Sequence, residues 1–308
     1  MKVLMALGGN ALLQRGQPQE AEIQLKNVVR AAKIIKTISK HHQIVLCHGN
    51  GPQVGLLALM SNVYKDVSPY PLDVLVAETQ GMIGYMLQNA LYNEGVTNVV
   101  TLLTQVKVDT KDPAFATPTK PIGPVYDKET AMKLAMEKGW EVAPDGKYYR
   151  RVVASPSPKE IVEFKAAQKL IEAGYMVIFC GGGGIPVAED EKTGFLIGKE
   201  AVIDKDRAAS LGAVDLKMDM FVILTDVDAI YVDYGTKNQK AIKAISPVEL
   251  KKMDFARGSM GPKVEAACNF VLKTNKTAVI GDLFQGDALF NGTSGTMVKN
   301  DVKGIIYY

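Results

Sequence analysis

Several things are missing from this sequence, and each absence closes a route. No G-x-x-x-x-G-K-[ST] stretch occurs anywhere in the 308 residues, which excludes phosphate binding by a P-loop. No apolar run approaches the roughly 18–20 residues of a bilayer span. The start, "MKVLMALGGNALL", is interrupted by Gly8-Gly9 before a signal core could run its length, so no secretory leader is expected. Cysteine is scarce: Cys47, Cys180 and Cys268 stand far apart and read as buried, reduced thiols rather than a disulfide framework or a metal site. Histidine is equally rare, with three in all; only His48 stands in a motif, where it reads as a structural turn residue. An excess of one charge is also missing. Thirty-six basic residues face 33 acidic ones, for a net charge of +3. Without Lys/Arg blocks that balance gives no reason to expect a nucleic acid or a membrane as partner.

What is present is an ordinary globular composition, 47% hydrophobic and 22% charged, long enough for one large α/β unit or two smaller ones. Short apolar runs at 3–7, 44–47, 99–103, 176–180, 221–225 and 278–280 predict strands buried on both faces. Helical patterns at about 21–39, 54–62, 72–93, 158–172, 205–213 and 261–274 separate them. This alternation predicts an α/β fold with a mostly parallel sheet covered by helices on both sides. One region breaks the rhythm. Residues 109–158 are rich in Pro, Lys and aromatics, and "PDG" at 144–146 predicts a β-hairpin turn. An insertion of this size reads as a small projecting subdomain, a lid or a mobile element. A weaker boundary falls near 205–213.

Four glycine-rich turns, at 7–11, 48–55, 180–186 and 258–263, mostly follow predicted strands. In open parallel sheets ligands sit beyond the carboxyl ends of the strands, so the four turns predict a pocket lined by backbone. "GNGPQVG" at 49–55 also approaches a dinucleotide fingerprint. Pro52 at the helix start and the lack of an acidic strand end some twenty residues on speak against that. The quadruple glycine at 181–184 also reads as a flexible connection.

The first loop, "LGGNA", carries no lysine, so a bound anion would need positive charge from elsewhere. In "AVIDKDRAASLGA" the bland reading makes Asp204 a helix N-cap. The other has Asp206 orient Lys205 toward a transferring phosphoryl group. "GSMGPKVEAA" offers a second cation: Lys263 falls in the first turn of a helix, where the dipole disfavours it and a bound anion would explain it. Lys120 stands between Pro118 and Pro121 on the insertion. "FVILTDVDAIYVD" reads as a strand ending at Thr225-Asp226, with Tyr231 beyond, or simply as a strand edge with turn-forming aspartates.

Together "ALGGNALLQRG" (6–16), "HGNGPQVG" (48–55), "QGMIGYMLQNAL" (80–91), "TPTKPIG" (117–123), "GGGGIPV" (181–187), "AVIDKDRAA" (201–209), "LTDVDAIYVDYG" (224–235) and "GSMGPKVEAA" (258–267) resemble the amino acid kinase family, and within it the carbamate kinase branch. The resemblance implies a three-layer αβα sandwich around an open, mostly parallel sheet, with a small protruding lid subdomain. It implies an N-terminal half, 1–204, that binds carbamate or carbamoyl phosphate and carries the lid at about 109–158. A C-terminal half, 205–308, would bind ATP or ADP. It further implies a cytoplasmic homodimer that uses Mg2+ and interconverts carbamoyl phosphate plus ADP with carbamate plus ATP.

By matching motifs, Lys205 and Lys263 would contact the transferring phosphoryl group, Asp206 would organise them, and Lys120 would close over the site. Gly8, Gly9, Asn10, Gly49, Asn50 and Gly51 would line the substrate pocket. Thr225, Asp226, Tyr231, Met260 and Pro262, with Lys263, would lie by the nucleotide. No side chain is assigned as a metal ligand. Carbamate is already an anion, so the chemistry needs positioning and charge neutralisation rather than a general base. Two other readings remain: an acylphosphate-forming kinase for an amino acid carboxylate, and a non-catalytic nucleotide-binding paralogue. The first would need a basic residue in the substrate pocket, where the N-terminal loops offer only small neutral ones. The second sits poorly with Lys205, Asp206 and Lys263 all being present.

Overall fold

The computed structural model describes residues 1–9, 12–14, 16–255 and 260–308. Asn10 therefore lies outside the described residues. In the first third run β1 (Lys2–Leu7), α1 (Ala21–Ser39), β2 (Gln43–His48), α2 (Gly51–Ser61), α3 (Leu72–Asn93), β3 (Val99–Thr101) and β4 (Gln105–Val108). The middle holds β5 (Lys120–Tyr126), α4 (Lys128–Lys138), β6 (Glu141–Asp145), β7 (Tyr148–Val153), β8 (Pro158–Ile161), α5 (Phe164–Glu172), β9 (Met176–Ile178), β10 (Ile185–Glu189) and β11 (Leu196–Gly198). The remainder comprises α6 (Lys205–Asp215), β12 (Met220–Thr225), β13 (Ile230–Val232), β14 (Lys240–Ile245), α7 (Pro247–Leu250), α8 (Met260–Thr274), β15 (Thr277–Asp282), α9 (Ala288–Asn291), β16 (Thr296–Val298) and β17 (Ile305–Tyr307).

Among the described residues, ten strands form the main sheet, in the order β13-β14-β16-β15-β12-β1-β2-β9-β3, with β17 against β14. The pairs from β15 through β3 are all parallel. Strand β1 explains why the sheet needs two covering layers. Leu4 and Ala6 point into one core with Ala208 and Ala209 of α6 and Val264 of α8. Val3, Met5 and Leu7 point into the other with Val28 and Ile35 of α1 and Leu87 of α3. All five side chains are fully buried, and the four larger ones each contribute roughly 1.5–3 kcal/mol relative to exposure. The result is the expected αβα sandwich.

The chain leaves β1 for β2 on one side and returns much later to place β12 on the other. Such a switch point opens a crevice beyond the strands' carboxyl ends. The glycine loops after β1 and β2 lie at this crevice.

Two smaller sheets complete the fold, β11-β10-β4-β8 and β5-β7-β6. Residues 158–172, expected as one helix, divide into β8 and α5. Pro158–Ile161 pairs antiparallel with β4 at a sheet edge, where a leading proline costs no ladder hydrogen bond. The hairpin is present, but its turn is Gly146-Lys147, with Pro144 opposite Tyr149 inside edge strand β6. Gly146 takes the positive φ of 63° that the turn requires. Within 109–158, β5, α4, β6 and β7 form a small subdomain around their own three-stranded sheet. It rests on α2, where a Cβ on Gly55 would stand 2.0 Å from the Gly123 backbone.

Candidate active site

Helix α6 begins at the bottom of the crevice. Asp204 is its N-cap, and one carboxylate oxygen, Oδ1, accepts the backbone N–H groups of Asp206 (2.9 Å) and Arg207 (3.3 Å). The capping reading of Asp204 is therefore right, and it does not exclude the other reading. The Lys205 ammonium donates to Asp206 Oδ1. Lys263, from the first turn of α8, donates to Asp206 Oδ2 at 3.0 Å. Lys120, from the start of β5, donates to Asp204 Oδ2. The structure thus brings all four catalytic candidates into one cluster.

Three ammonium groups here face two carboxylates. With every lysine protonated the cluster carries one positive charge in excess, suited to an arriving anion. Asp206 is buried to 1% exposure and Lys205 to 8%. Burial works against the Asp206 anion, but Lys205 and Lys263 outweigh it and hold its carboxyl below the usual carboxylate range. Burial pushes Lys205 down from the usual lysine range, opposed by Asp206. Lys263 is less enclosed; burial again works against the charge, yet Asp206 overcomes it and raises the ammonium.

The glycine loops pack directly on this cluster. A Cβ on Gly49 would lie 3.6 Å from Lys205 Cδ and 3.9 Å from the Gly9 backbone nitrogen. A Cβ on Gly8 would meet the Leu224 carbonyl oxygen at 2.6 Å. Gly51 opens α2, with Pro52 in its first turn. Asn50 is turned inward: its amide nitrogen donates to Thr79 Oγ1 at 2.8 Å. From Gly8, Gly9 and Lys263 an open cavity of about 820 Å³ extends over the carboxyl end of β12, lined also by Thr225, Asp226, Tyr231 and Met260. That volume lies within the range of small-molecule and cofactor sites. Pro262 shares the turn of Met260 and Lys263 but does not line the cavity.

Behind the loops the four glycines are a packed wall, not a flexible connection. Gly182, Gly183 and Gly184 all have positive φ. A Cβ on Gly181 would lie 2.4 Å from His48 Nε2, and one on Gly182 would lie 2.2 Å from the Asn50 amide nitrogen. Gln80, missed as a functional candidate, clamps this turn. Its amide donates to the carbonyls of Gly181 (2.9 Å) and Thr104 (3.0 Å) and accepts from Thr104 N–H (2.9 Å). The signal was in the sequence: Thr79 and Gln80 fall on the stripe of α3 that also holds Val76, Ile83 and Leu87. A buried amide needs partners. His48 is buried, and burial pushes its imidazole down to about 4. It is therefore neutral at working pH, with Nδ1 3.0 Å from the Gly49 carbonyl.

All three cysteines are buried and unpaired. Burial pushes the Cys47 thiol up to about 12 and the Cys268 thiol to about 11. No thiol of the native protein is expected to react rapidly with Ellman's reagent, while all three should react in denaturant. A fast-reacting Cys47 or Cys180 would show that the packing around the glycine wall opens readily.

The amino acid kinase family profile matches residues 1–282. The chain is 54% identical to a carbamate kinase of Haemophilus influenzae, over 100% of each chain. It is 49% identical to one of Rhizobium meliloti, covering 100% of this chain and 96% of that one. It also superposes on a carbamate kinase from Giardia lamblia bound to AMP-PNP, with a TM-score of 0.87 and 40% identity over 97% of this chain and 98% of the other. The protein is a member of the amino acid kinase family, similar along its whole length to the carbamate kinases.

Proposed function

We propose that this protein is a carbamate kinase, transferring a phosphoryl group reversibly between carbamoyl phosphate and ADP. The carrying observation is the buried Lys205–Asp206–Lys263 cluster at the inner end of the cavity. Such an arrangement answers what this reaction demands. The carbamate oxygen is already anionic and needs no base, in keeping with a neutral His48. The barrier lies in aligning two anions that repel in water and in offsetting charge on a loose phosphoryl transition state. Lys205 and Lys263 supply that charge, and Asp206 holds both ammonium groups on one side of the transfer line. The loops at Gly8-Gly9 and Gly49–Gly51 supply backbone donors for a very small substrate. The cavity beside Thr225, Asp226, Tyr231 and Met260 takes the nucleotide, as the AMP-PNP complex of the Giardia relative supports.

Mg2+ would arrive with the nucleotide. Among the described residues no group of three or more His, Cys, Asp or Glu side chains forms a cage, and Mg2+ commonly binds through phosphates with one or two carboxylates. Of the aspartates lining the cavity, Asp226, whose charge acts on Lys263, would hold it, where the ion would neutralise phosphate charge. The reading includes a homodimer, supported by the exposed side chains of Tyr85, Tyr92 and Leu103, which line one surface hollow beside α3. It includes a cytoplasmic location, supported by the three unpaired thiols.

Purified protein given Mg-ADP and carbamoyl phosphate is expected to form ATP, read by a luciferase-coupled assay. Normal ADP binding with no ATP formed would instead favour the non-catalytic paralogue.

A further inference from the structure

The carboxylate of Asp204 divides its two oxygens between two parts of the molecule. Oδ1 caps α6, the helix that presents Lys205 and Asp206. Oδ2 receives the ammonium of Lys120, which stands 84 residues earlier on the first strand of the small subdomain. The carboxylate is 9% exposed and the Lys120 side chain 26%, so the link is shielded from water on the Asp204 side. The segment leading to Asp204 is fastened to the same subdomain elsewhere. Val202 N–H donates to the Ala154 carbonyl, just past β7, at 2.9 Å. Glu200 pairs with Arg151 of β7 at 3.6 Å while its other oxygen accepts the N–H of Leu72, at the start of α3. Arg151 in turn lies over the Trp140 ring, 4.9 Å from its centroid.

We propose that Asp204 is a positioning residue that ties the subdomain to the start of α6 and aims Lys120 at the phosphoryl site. This rests on the kinase reading for its catalytic consequence, but the link itself does not. Two fixed points define where Lys120 can stand: its strand, anchored between Pro118 and Pro121, and the carboxylate one residue before Lys205. A lysine so held meets an incoming carbamoyl phosphate already in place, and ordering it then costs little on binding.

One substitution separates the two roles of Asp204. Asn caps helices as well as Asp, so Asp204→Asn keeps the Oδ1 contacts with Asp206 and Arg207. The amide nitrogen that replaces Oδ2 is a donor and cannot receive the Lys120 ammonium. Asp204→Asn is expected to lower kcat/KM for carbamoyl phosphate by about tenfold or more with KM for ADP nearly unchanged. In a Lys120→Met background the same change should have almost no further effect, because the residue through which it acts is gone. Equal losses in both backgrounds, or no loss in either, would overturn the proposal.

If the wild-type protein made no ATP, the kinase reading would fall while the link stayed testable. Chymotrypsin should then cut the aromatic stretch 140–149 faster in Asp204→Asn and in Lys120→Met than in wild type, and no faster in the double variant than in the single ones. Unchanged cutting in the single variants would refute the link by itself.

Discussion

Lys205→Met is expected to lower kcat by about 10²–10³-fold, the range seen when one preorganised transition-state charge contact is removed. Met replaces the apolar stem of the lysine as far as Cε and lacks only the ammonium, so packing against Gly49 and the core is preserved. Asp206 retains Lys263 as partner, so the carboxylate is not orphaned and the fold should survive. Binding of ADP should change little, because Lys205 does not line the nucleotide cavity. The discriminating measurement is kcat with saturating Mg-ADP and carbamoyl phosphate, next to a melting curve. An unchanged kcat would return Lys205 to a purely structural place at the start of α6.

The second large effect falls on stability as well as rate. Asp206 is the common acceptor of two ammonium groups, and Asp206→Asn leaves buried Lys205 and half-buried Lys263 without their carboxylate partner, with only the weaker attraction of Asp204 acting on both. Breaking a buried ion pair from one side costs about 3–5 kcal/mol, which for a chain of this size lowers Tm on the order of 10 °C. Inorganic phosphate should restore more Tm to Asp206→Asn than to wild type, since the variant offers an anion two unsatisfied lysines. The pH dependence has a definite sign. The folded carboxyl is held below its ordinary range, so the unfolded chain takes up the proton first. The stability from this charge is whole above about pH 4 and is lost as pH falls toward the folded value. Asp206→Asn should therefore lose less stability than wild type between pH 4 and pH 2. An unaltered Tm and an unaltered acid limb would show that the carboxylate does not organise the lysines.

The parallel strands were legible because their residues are buried on both sides and read as uninterrupted apolar runs: β1, β2, β9, β12 and β15 all lie where 3–7, 44–47, 176–180, 221–225 and 278–280 place them. The peripheral strands were not. β14, broken by lysines at 240 and 243, and β8, opened by a proline and carrying Lys159 and Glu160, have neither an unbroken apolar run nor a clean alternation to stand out. Their pairing depends on partners far along the chain. In the site, Lys205 and Asp206 were readable because a lysine between two aspartates opens a helix, and Lys263 because a lysine stands in a helix's first turn beside the glycine turn at 258–263. The link of Asp204 to Lys120 was not, since only the folded path of the insertion brings residues 84 apart together. Gln80 was visible as a polar group on an apolar stripe, but what it clamps could be seen only in three dimensions.

The backbone contact between Gly55 and Gly123 sets the leverage of the small subdomain. Lys120 stands three residues from that fulcrum on the same strand, roughly 10 Å away. A rocking of about 10° about the contact shifts Lys120 by no more than ~2 Å over such an arm, while the hairpin tip beyond it sweeps farther. Any rocking of the subdomain about this contact would therefore move its outer rim farther than its lysine.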